Sequence, residues 1–328
     1  MADEVTTTKS PSVTIAIPTF NGKSWLQKSI PVILSQQYEG EIEILIVDSS
    51  SNDGTTEWLE SLESISLKII SKAEFGHGKT RNFCISVAKG ELILFTVQDA
   101  IPRDTMWVQN LVNALLSNKA DAICGEQAAP KSPLNNPLQW FHPAVTSNAT
   151  NVVSPTTFRA SSPLEKLGHC KWDNVNALYR KFALEAVPFR DLRFGEDMAW
   201  AFDALNAGYS IGYSDSCKIW HYHHQTPSFT RNRIISSLYT QYKTFGVIHA
   251  KDQRPNAFNL LLIIGRLLRI AIRTSSSSPL LWVRYNWRLQ YHTYNATCDF
   301  LQAMCDGDEK VDELHAELGR TSPVASAP

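Results

Sequence analysis

The chain has 328 residues, enough for one large domain or two ordinary ones, and its 43% hydrophobic and 19% charged residues allow a substantial core. Lysine and arginine number 31 against 32 aspartate and glutamate, so the balance excludes a strongly basic nucleic-acid-binding protein. Six cysteines without a C-x-x-C pair, and no secretory signal, predict free thiols in the cytoplasm.

Apolar runs and helical patterns alternate from residue 13 to about residue 126. The strand patterns cover residues 13–17, 42–47, 67–70, 92–97 and 120–124, and the helical patterns cover residues 24–37, 55–62, 78–88 and 104–118. This alternation predicts a parallel sheet with helices on both faces, whose ligands bind beyond the carboxyl ends of the strands. Farther along, the patterns predict a strand over 173–179, a helix over 196–207, a strand over 218–223 and helices from about residue 230.

Two predicted strands end in polar segments. The first runs into Pro-Thr-Phe-Asn-Gly at residues 18–22, and the second ends at Asp48, before a run of small and polar residues. An aspartate at the end of a strand can accept hydrogen bonds from a nucleotide base or ribose. The same residue types also form turns and helix caps, and for this segment alone the turn is the commoner use.

The segment Phe-Gly-His-Gly-Lys-Thr-Arg-Asn at residues 75–82 contains the Gly-Lys-Thr of a phosphate-binding P-loop. A complete P-loop needs another glycine five residues before Gly78, and that position is Ala73. A glycine-rich turn at a helix start still suits an anion, which backbone N–H groups and the helix dipole attract. Lys79 or Arg81 would add positive charge, and an ordinary junction between loop and helix is the alternative.

Three further segments carry groups that can bind a metal or move a proton. Asp99 follows a buried strand, where an unpaired carboxylate is costly, so it is a candidate ligand for a hard divalent cation. Glu196 and Asp197 open a helix, which suits either a general base held ionised by the helix dipole or simple capping. His221 and His223 share one face of a strand and could complete a metal site, although single histidines are more often structural.

The order and spacing of these segments resemble the inverting family 2 glycosyltransferases of the GT-A fold. The series is Pro-Thr-Phe-Asn-Gly, Val-Asp-Ser-x-Ser-x-Asp-Gly-Thr, His-Gly-x-x-Arg-Asn, Gln-Asp-Ala-x-Pro, Gly-Glu-Asp-x-x-Trp and His-x-His, within residues 13–225. The segments at residues 75–82 and 97–102 resemble the branch that transfers rhamnose. The resemblance implies an α/β fold, with a Rossmann-like mixed sheet flanked by helices and a helical C-terminal extension.

The resemblance also implies roles for single residues. Asp48 would contact the nucleotide base, and Asp197 would be the general base, with Glu196 beside it. The other residues predicted to bind the nucleotide sugar are Pro18, Thr19, Asn21, His77, Lys79, Arg81, Asn82, Gln98 and Asp99.

The metal, Mg²⁺ or Mn²⁺, would be held by Asp99 together with His221 or His223. The family's Asp-x-Asp motif reads Val97-Gln98-Asp99 here, so its first aspartate is missing. The branch that transfers rhamnose similarly keeps only the second aspartate. We therefore still expect Asp99 to bind the cation.

The implied reaction is transfer of L-rhamnose from dTDP-β-L-rhamnose to a hydroxyl group of a glycan or glycolipid, as in polysaccharide biosynthesis. A carboxylate takes the proton of the attacking hydroxyl, and the metal stabilises the leaving nucleoside diphosphate. Attack opposite to the leaving group inverts the anomeric centre. Two other functions remain open from the sequence: a non-catalytic module that binds a sugar or nucleotide sugar, and a P-loop-like NTPase.

Four regions follow from these patterns. They are a disordered tail over 1–12, a nucleotide-sugar-binding half over 13–126, an acceptor-binding and catalytic half over 127–228, and a helical region over 229–328. Residues 257–273 are very apolar, yet Arg266, Arg269 and Arg273 share one side of the predicted helix. This stretch is too short to span a membrane, so it either lies on the inner face of a membrane, as a peripheral contact, or packs in a core.

Overall fold

The computed structural model describes residues 10–128, 151–222, 225–247, 257–273 and 279–318. Its centre is one sheet of nine strands. The strands are β1 (Val13–Thr19), β2 (Ile42–Asp48), β3 (Ser66–Ile69), β4 (Leu92–Phe95), β5 (Ile101–Pro102), β6 (Ala122–Ala128), β7 (Asn151–Val153), β8 (Ala177–Arg180) and β9 (Ile211–Trp220). Their order across the sheet is β3-β2-β1-β4-β8-β6-β9-β5, and β7 also pairs with β9.

Twelve helices accompany these strands in the described ranges. They are α1 (Lys23–Leu34), α2 (Thr55–Glu60), α3 (His77–Val87), α4 (Trp107–Ser117), α5 (Pro155–Ala160), α6 (Pro163–His169), α7 (Lys181–Ala186), α8 (Glu196–Ala207), α9 (Pro227–Phe245), α10 (Ala257–Arg273), α11 (Pro279–Asp306) and α12 (Asp308–Ala316). The predicted mixed α/β fold with a helical C-terminal region is therefore confirmed.

The first four strands form the parallel part of the sheet, as the alternation of strands and helices predicts. The strand predicted over 120–124, which is β6, does not extend that parallel part directly. Instead β8 lies between β4 and β6 and runs antiparallel to both. Because β8 comes from a later part of the chain, the local pattern of residues 13–126 carries no sign of this insertion.

Each face of the sheet is covered by its own apolar cluster, because successive side chains of a strand point to opposite faces. In β1, Val13, Ile15 and Ile17 pack with helices α1 and α4 on one face. Ala16 belongs to the cluster on the other face, where α3 and α8 pack. The two packed faces fix the carboxyl ends of β1, β2 and β4 along one edge of the sheet.

The boundaries of several predicted elements shift in the structure. The helix predicted over 196–207 is confirmed and ends at Gly208, whose φ of +103° is the left-handed conformation that favours glycine. The strand predicted over 173–179 is shorter, because residues 173–176 form a loop before β8. The predicted division between residues 126 and 127 lies inside β6, so both predicted halves share one sheet.

The ends of the chain are only partly described. Of the predicted tail, residues 10–12 contact the rest of the chain: the backbone N–H of Ser12 donates to Glu91 Oε2 at 3.0 Å, and Tyr38 donates to the Pro11 carbonyl oxygen. Residues 1–9 lie outside the described residues. None of the described helices is long and apolar enough to cross a membrane.

Candidate functional site

The loops after β1 and β2 are joined into one unit at the carboxyl edge of the sheet. The backbone N–H of Asn21 donates to Ser51 Oγ at 2.7 Å, and Asn21 Oδ1 accepts from the Asn52 N–H at 2.9 Å. The Gly22 N–H donates to Thr55 Oγ1 at 3.1 Å. The two polar segments found in the sequence therefore lie side by side.

Asp48 holds the second of these loops in place. Its carboxylate is fully buried and accepts from Ser51 Oγ at 2.5 Å, from the Ser51 N–H at 3.2 Å and from Thr56 Oγ1 at 2.7 Å. Beside it, Ser49 Oγ is buried without a hydrogen-bond partner in the described part of the chain. Pro18 lies on β1, one residue before the position opposite Asp48. Contact between Asp48 and the nucleotide base stays a prediction. The neighbouring Ser49 hydroxyl has no partner among the described residues, so it can still form a hydrogen bond.

Gln98 closes the end of β1. Its Oε1 accepts from Thr19 Oγ1 at 2.5 Å and from the Phe20 N–H at 3.0 Å. Val97, at the position of the missing first aspartate, packs against the apolar cluster around β1. These two residues thus support the fold at the strand end, and a donor contact by Gln98 stays a prediction.

Asp99 and His221 lie close together at the carboxyl edge of the sheet. Their Oδ1 and Nε2 atoms are 3.7 Å apart, and their side chains are 8% and 12% exposed. Two such atoms can both reach one cation, since ligand distances of about 2.1 Å are usual. The described ranges contain no group of three or more His, Cys, Asp or Glu residues able to hold a metal alone. His223, the other predicted ligand, lies outside the described residues, so phosphate oxygens and water would have to complete the shell.

Gln127 joins this pair to a second acidic group. Its Oε1 lies 2.8 Å from His221 Nδ1, and its side chain also hydrogen-bonds to the carboxylate of Asp173. A carboxylate accepts only, so the amide NH₂ of Gln127 faces Asp173 and its oxygen accepts from the His221 Nδ1–H. The remaining imidazole nitrogen then presents its lone pair towards Asp99, the tautomer that metal binding requires.

Arg81 and Glu196 form a buried ion pair. Arg81 Nη1 lies 2.7 Å from Glu196 Oε1, with the two side chains 9% and 6% exposed. The same nitrogen donates to the carbonyl oxygen of His77 at 3.1 Å, and the guanidinium lies over the ring of Phe95. Arg81 therefore fastens the start of α3 to the start of α8. A contact of Arg81 or His77 with the donor stays a prediction.

Asp197 follows in the first turn of α8 and keeps part of its surface accessible. The Met198 N–H donates to its Oδ1 at 2.7 Å. Burial, and then the charges of Glu196 and Asp173, raise the pKa of Asp197 well above its ordinary value, against the opposing effect of Arg81. The sequence predicts a carboxylate held ionised by the helix dipole, whereas burial and the neighbouring acidic groups shift its pKa in the opposite direction. A raised pKa suits a general base, which works best near the operating pH.

The Gly-Lys-Thr segment lies at a packed junction. The side-chain amide of Asn82 both donates to and accepts from the backbone of Phe189, each at 2.9 Å. Lys79 pairs with Asp191 at 2.9 Å, and a Cβ on Gly78 would lie 2.1 Å from a backbone oxygen of the same segment. The start of α3 therefore packs against residues 189–191. Donor contacts by Lys79 and Asn82 stay predictions.

Comparison with known families decides the class of the protein. The family model described as glycosyl transferase family 2 matches residues 14–186, more than half of the chain. The chain belongs to glycosyl transferase family 2. The two other functions left open by the sequence, a non-catalytic binding module and a P-loop-like NTPase, are therefore set aside.

Two relatives of this glycosyltransferase are named as rhamnosyltransferases. It is 30% identical over 244 residues to the O-antigen chain rhamnosyltransferase RfbN of Salmonella typhimurium, covering 73% of this chain and 72% of the relative. It is 27% identical over 246 residues to the O-antigen chain rhamnosyltransferase WbaN of Salmonella anatum, covering 73% of each.

Solved structures of glycosyltransferases share the fold. The mannosyltransferase PcManGT of Pyrobaculum calidifontis, in complex with GDP-Man and Mn²⁺, matches with a TM-score of 0.51 and 18% identity over 94% of this chain and 79% of its own. The TarS protein of S. aureus, in complex with UDP-GlcNAc, matches with a TM-score of 0.52 and 14% identity over 89% of this chain and 92% of its own. At these identities the likeness supports the fold alone.

Sequence reasoning missed three residues that surround Asp197 and His221 in this glycosyltransferase. They are Gln127, Asp173 and Arg233. Burial raises the pKa of Asp173 and lowers that of Arg233, and their opposite charges partly offset both effects. Asp173 does have a signal in the sequence: it stands at the start of the strand predicted over 173–179, and aspartate is uncommon in strands. The sequence carries no such signal for Arg233, because only tertiary packing brings α9 close to Asp173 and Asp197.

Proposed function

We propose that this glycosyltransferase moves L-rhamnose from dTDP-β-L-rhamnose to a hydroxyl group of a glycan or lipid-linked glycan, inverting the anomeric centre. The named rhamnosyltransferase relatives support the choice of sugar. The observation that carries the mechanism is a continuous line of contacts from Asp99 through His221 and Gln127 to Asp173, which lies near Asp197. This line of contacts supports the proposal that the diphosphate and the general base lie close together at one edge of the sheet.

In the proposed mechanism Asp197 takes the proton from the acceptor hydroxyl as that oxygen attacks the anomeric carbon. Arg81 and Glu196, as a buried ion pair, hold the first turn of α8 so that the carboxylate keeps its position. Asp99 and His221 would hold Mg²⁺ or Mn²⁺, which when bound would supply positive charge against the departing diphosphate. Proton removal on one side of the sugar and departure on the other make the transfer a single inverting displacement.

The donor would lie over the joined loops after β1 and β2. Ser49, with its unpartnered hydroxyl, is the group we propose for hydrogen bonding to the nucleotide, in addition to Asp48, Asn21 and Thr19. We further propose a cytoplasmic enzyme at the inner face of a membrane. All six cysteines are free, which fits a reducing compartment.

The donor proposal is tested by incubating the protein with Mn²⁺, a panel of phenyl-linked monosaccharides, and one nucleotide sugar at a time. We expect release of dTDP from dTDP-β-L-rhamnose, with a product heavier than its acceptor by one deoxyhexose, detected by mass spectrometry. UDP-GlcNAc and GDP-Man are the matched competitors. Transfer from either of them, with none from dTDP-β-L-rhamnose, would overturn the assignment of the sugar.

The metal site is tested by calorimetric titration of dTDP with and without Mn²⁺. We expect Mn²⁺ to tighten dTDP binding in the wild type but not in Asp99→Asn. Replacing Gln127 with leucine removes the acceptor for His221 Nδ1–H and should weaken Mn²⁺ binding by about 10–100-fold, the usual effect of losing an outer-shell partner. Asp104→Asn, in the loop before α4, is the control and should bind like the wild type. Equal dTDP affinity with and without Mn²⁺ would refute the metal role.

A further inference from the structure

The hairpin formed by α10 and α11 exposes large apolar side chains where α10 ends and where α11 begins. Ile272 at the end of α10 is 72% exposed, and Leu280 and Leu281 at the start of α11 are 78% and 64% exposed. Leu262 and Leu268 extend this surface along α10. The two helix ends are separated by only five residues in the sequence, so these side chains lie at one end of the hairpin.

The exposed residues are a second apolar face, in addition to the one that holds the hairpin together. Leu267 and Ala271 of α10 are buried against Trp282 and Val283 of α11 in a small cluster of their own. Packing between the two helices is thus already satisfied by the opposite side of α10. The outward leucines and isoleucine are not members of that cluster and are 37–78% exposed, so this surface is available to a partner.

Over most of its length the hairpin carries only positively charged side chains. The sequence has no aspartate or glutamate from residue 253 to residue 298, whereas Arg266, Arg269, Arg284 and Arg288 are all exposed. Tyr291, 42% exposed, stacks on Trp287 along α11. Outward apolar side chains mixed with arginines and amphipathic aromatic rings are the composition of surfaces that lie in a lipid interface.

We propose that the hairpin of α10 and α11 docks this enzyme on an anionic lipid bilayer. The apolar end, Leu268, Ile272, Leu280 and Leu281, enters the acyl boundary, and the arginines contact lipid phosphates. A symmetric contact with a second copy would bring basic surfaces together without acidic partners, which like-charge repulsion disfavours. The inference goes beyond the proposed reaction, because it holds whichever sugar is transferred.

Vesicle flotation with the full chain tests this proposal. The protein should float with vesicles made of equal parts phosphatidylcholine and phosphatidylglycerol, and much less with phosphatidylcholine alone or in high salt. The double variant Leu280→Gln/Leu281→Gln should lower the bound-to-free ratio by about tenfold or more, as expected for the loss of buried leucine side chains. Arg266→Glu/Arg269→Glu should lower it at least about tenfold on the mixed vesicles, because each basic residue near an anionic surface contributes to binding.

Matched controls are Leu164→Gln in α6, another exposed leucine, and Arg159→Glu in α5, another exposed arginine. Both should float like the wild type, and all variants should keep the wild-type thermal midpoint. Failure of the wild type to float would overturn the proposal. So would sedimentation as a dimer that Leu280→Gln/Leu281→Gln dissociates, with no vesicle binding, since the apolar end would then belong to a second copy. Donor hydrolysis measured without vesicles is independent of these outcomes.

Discussion

Replacing Asp197 with asparagine is expected to lower the rate of rhamnose transfer by roughly 10²–10⁴-fold, the usual contribution of a general base. Asparagine keeps the size of the side chain and an oxygen that can accept from the Met198 N–H, but it cannot take up a proton. Binding of dTDP should be nearly unchanged, because the donor site proposed around Asp99 does not include Asp197. Turnover with dTDP-β-L-rhamnose and calorimetry with dTDP measure the two quantities separately.

The pKa of Asp197 gives this variant a second signature. The pKa of Asp197 is raised in the folded state. At pH values between its ordinary pKa and this raised pKa, the folded protein therefore binds more protons than the unfolded chain. The free energy of unfolding consequently falls as pH rises through this range. The asparagine variant lacks this loss, so its thermal midpoint at neutral and alkaline pH should equal or exceed that of the wild type. Wild-type turnover should rise with pH through the raised pKa, and the variant should lack this rise.

A simple capping role for Asp197 predicts the opposite pair of results. Turnover would stay intact, and the free energy of unfolding would fall by about 1 kcal/mol. That outcome would contradict the assignment and leave Glu196 as the next candidate base. Because Glu196 is paired with Arg81, we expect Glu196→Gln to affect stability more than the chemical step.

Replacing Arg81 with methionine is expected to lower the free energy of unfolding by about 3–5 kcal/mol, the usual cost of removing one member of a buried ion pair. Methionine keeps the length and apolar contacts of the side chain but leaves the Glu196 carboxylate buried without its partner. The effect of Arg81 that lowers the pKa of Asp197 is also lost, so that pKa should rise further. Chemical denaturation and the pH profile of turnover measure these two effects.

The matched control is Arg190→Met on the same side of the molecule. Arg190 also makes an ion pair, with both Nε and Nη2 bonded to Asp203, but its side chain is 42% exposed. We expect a loss of about 1 kcal/mol or less there, because solvent screens such pairs. The double variant Arg81→Met/Glu196→Gln should recover much of the lost stability. Equal losses for Arg81→Met and Arg190→Met would show that the Arg81–Glu196 pair is not buried in solution.

The sequence predicts well those features that depend on neighbouring residues. The helix over 196–207 is bounded by Gly195 and Gly208, whose positive φ angles suit glycine at a helix start and end. The apolar runs of β1 and β2, each followed by turn residues, locate the strand ends and hence the candidate site. Local chemistry is sufficient in these cases, because each signal and its effect lie within a few residues.

Features that depend on tertiary packing could not be predicted in this way. The motif around Arg81 predicts a contact with the nucleotide sugar. It does not predict the ion pair with Glu196, because Glu196 lies far away in the sequence. Nothing in the local sequence marks Gln127, because a buried glutamine gives no local signal, and its role follows only from its position between His221 and Asp173. The insertion of β8 between β4 and β6 is likewise decided by long-range pairing.

The central claim, transfer of rhamnose with inversion at this site, is tested most directly by the anomeric configuration of the product. The enzyme is incubated with dTDP-β-L-rhamnose, Mn²⁺ and the best acceptor of the phenyl-linked panel, and the purified product is analysed by NMR through the one-bond carbon–proton coupling of its anomeric centre. We predict an α-L-rhamnoside, formed by the wild type and at a strongly reduced rate by Asp197→Asn. A β-L-rhamnoside would show retention and contradict a mechanism in which one base-assisted displacement carries the sugar to the acceptor.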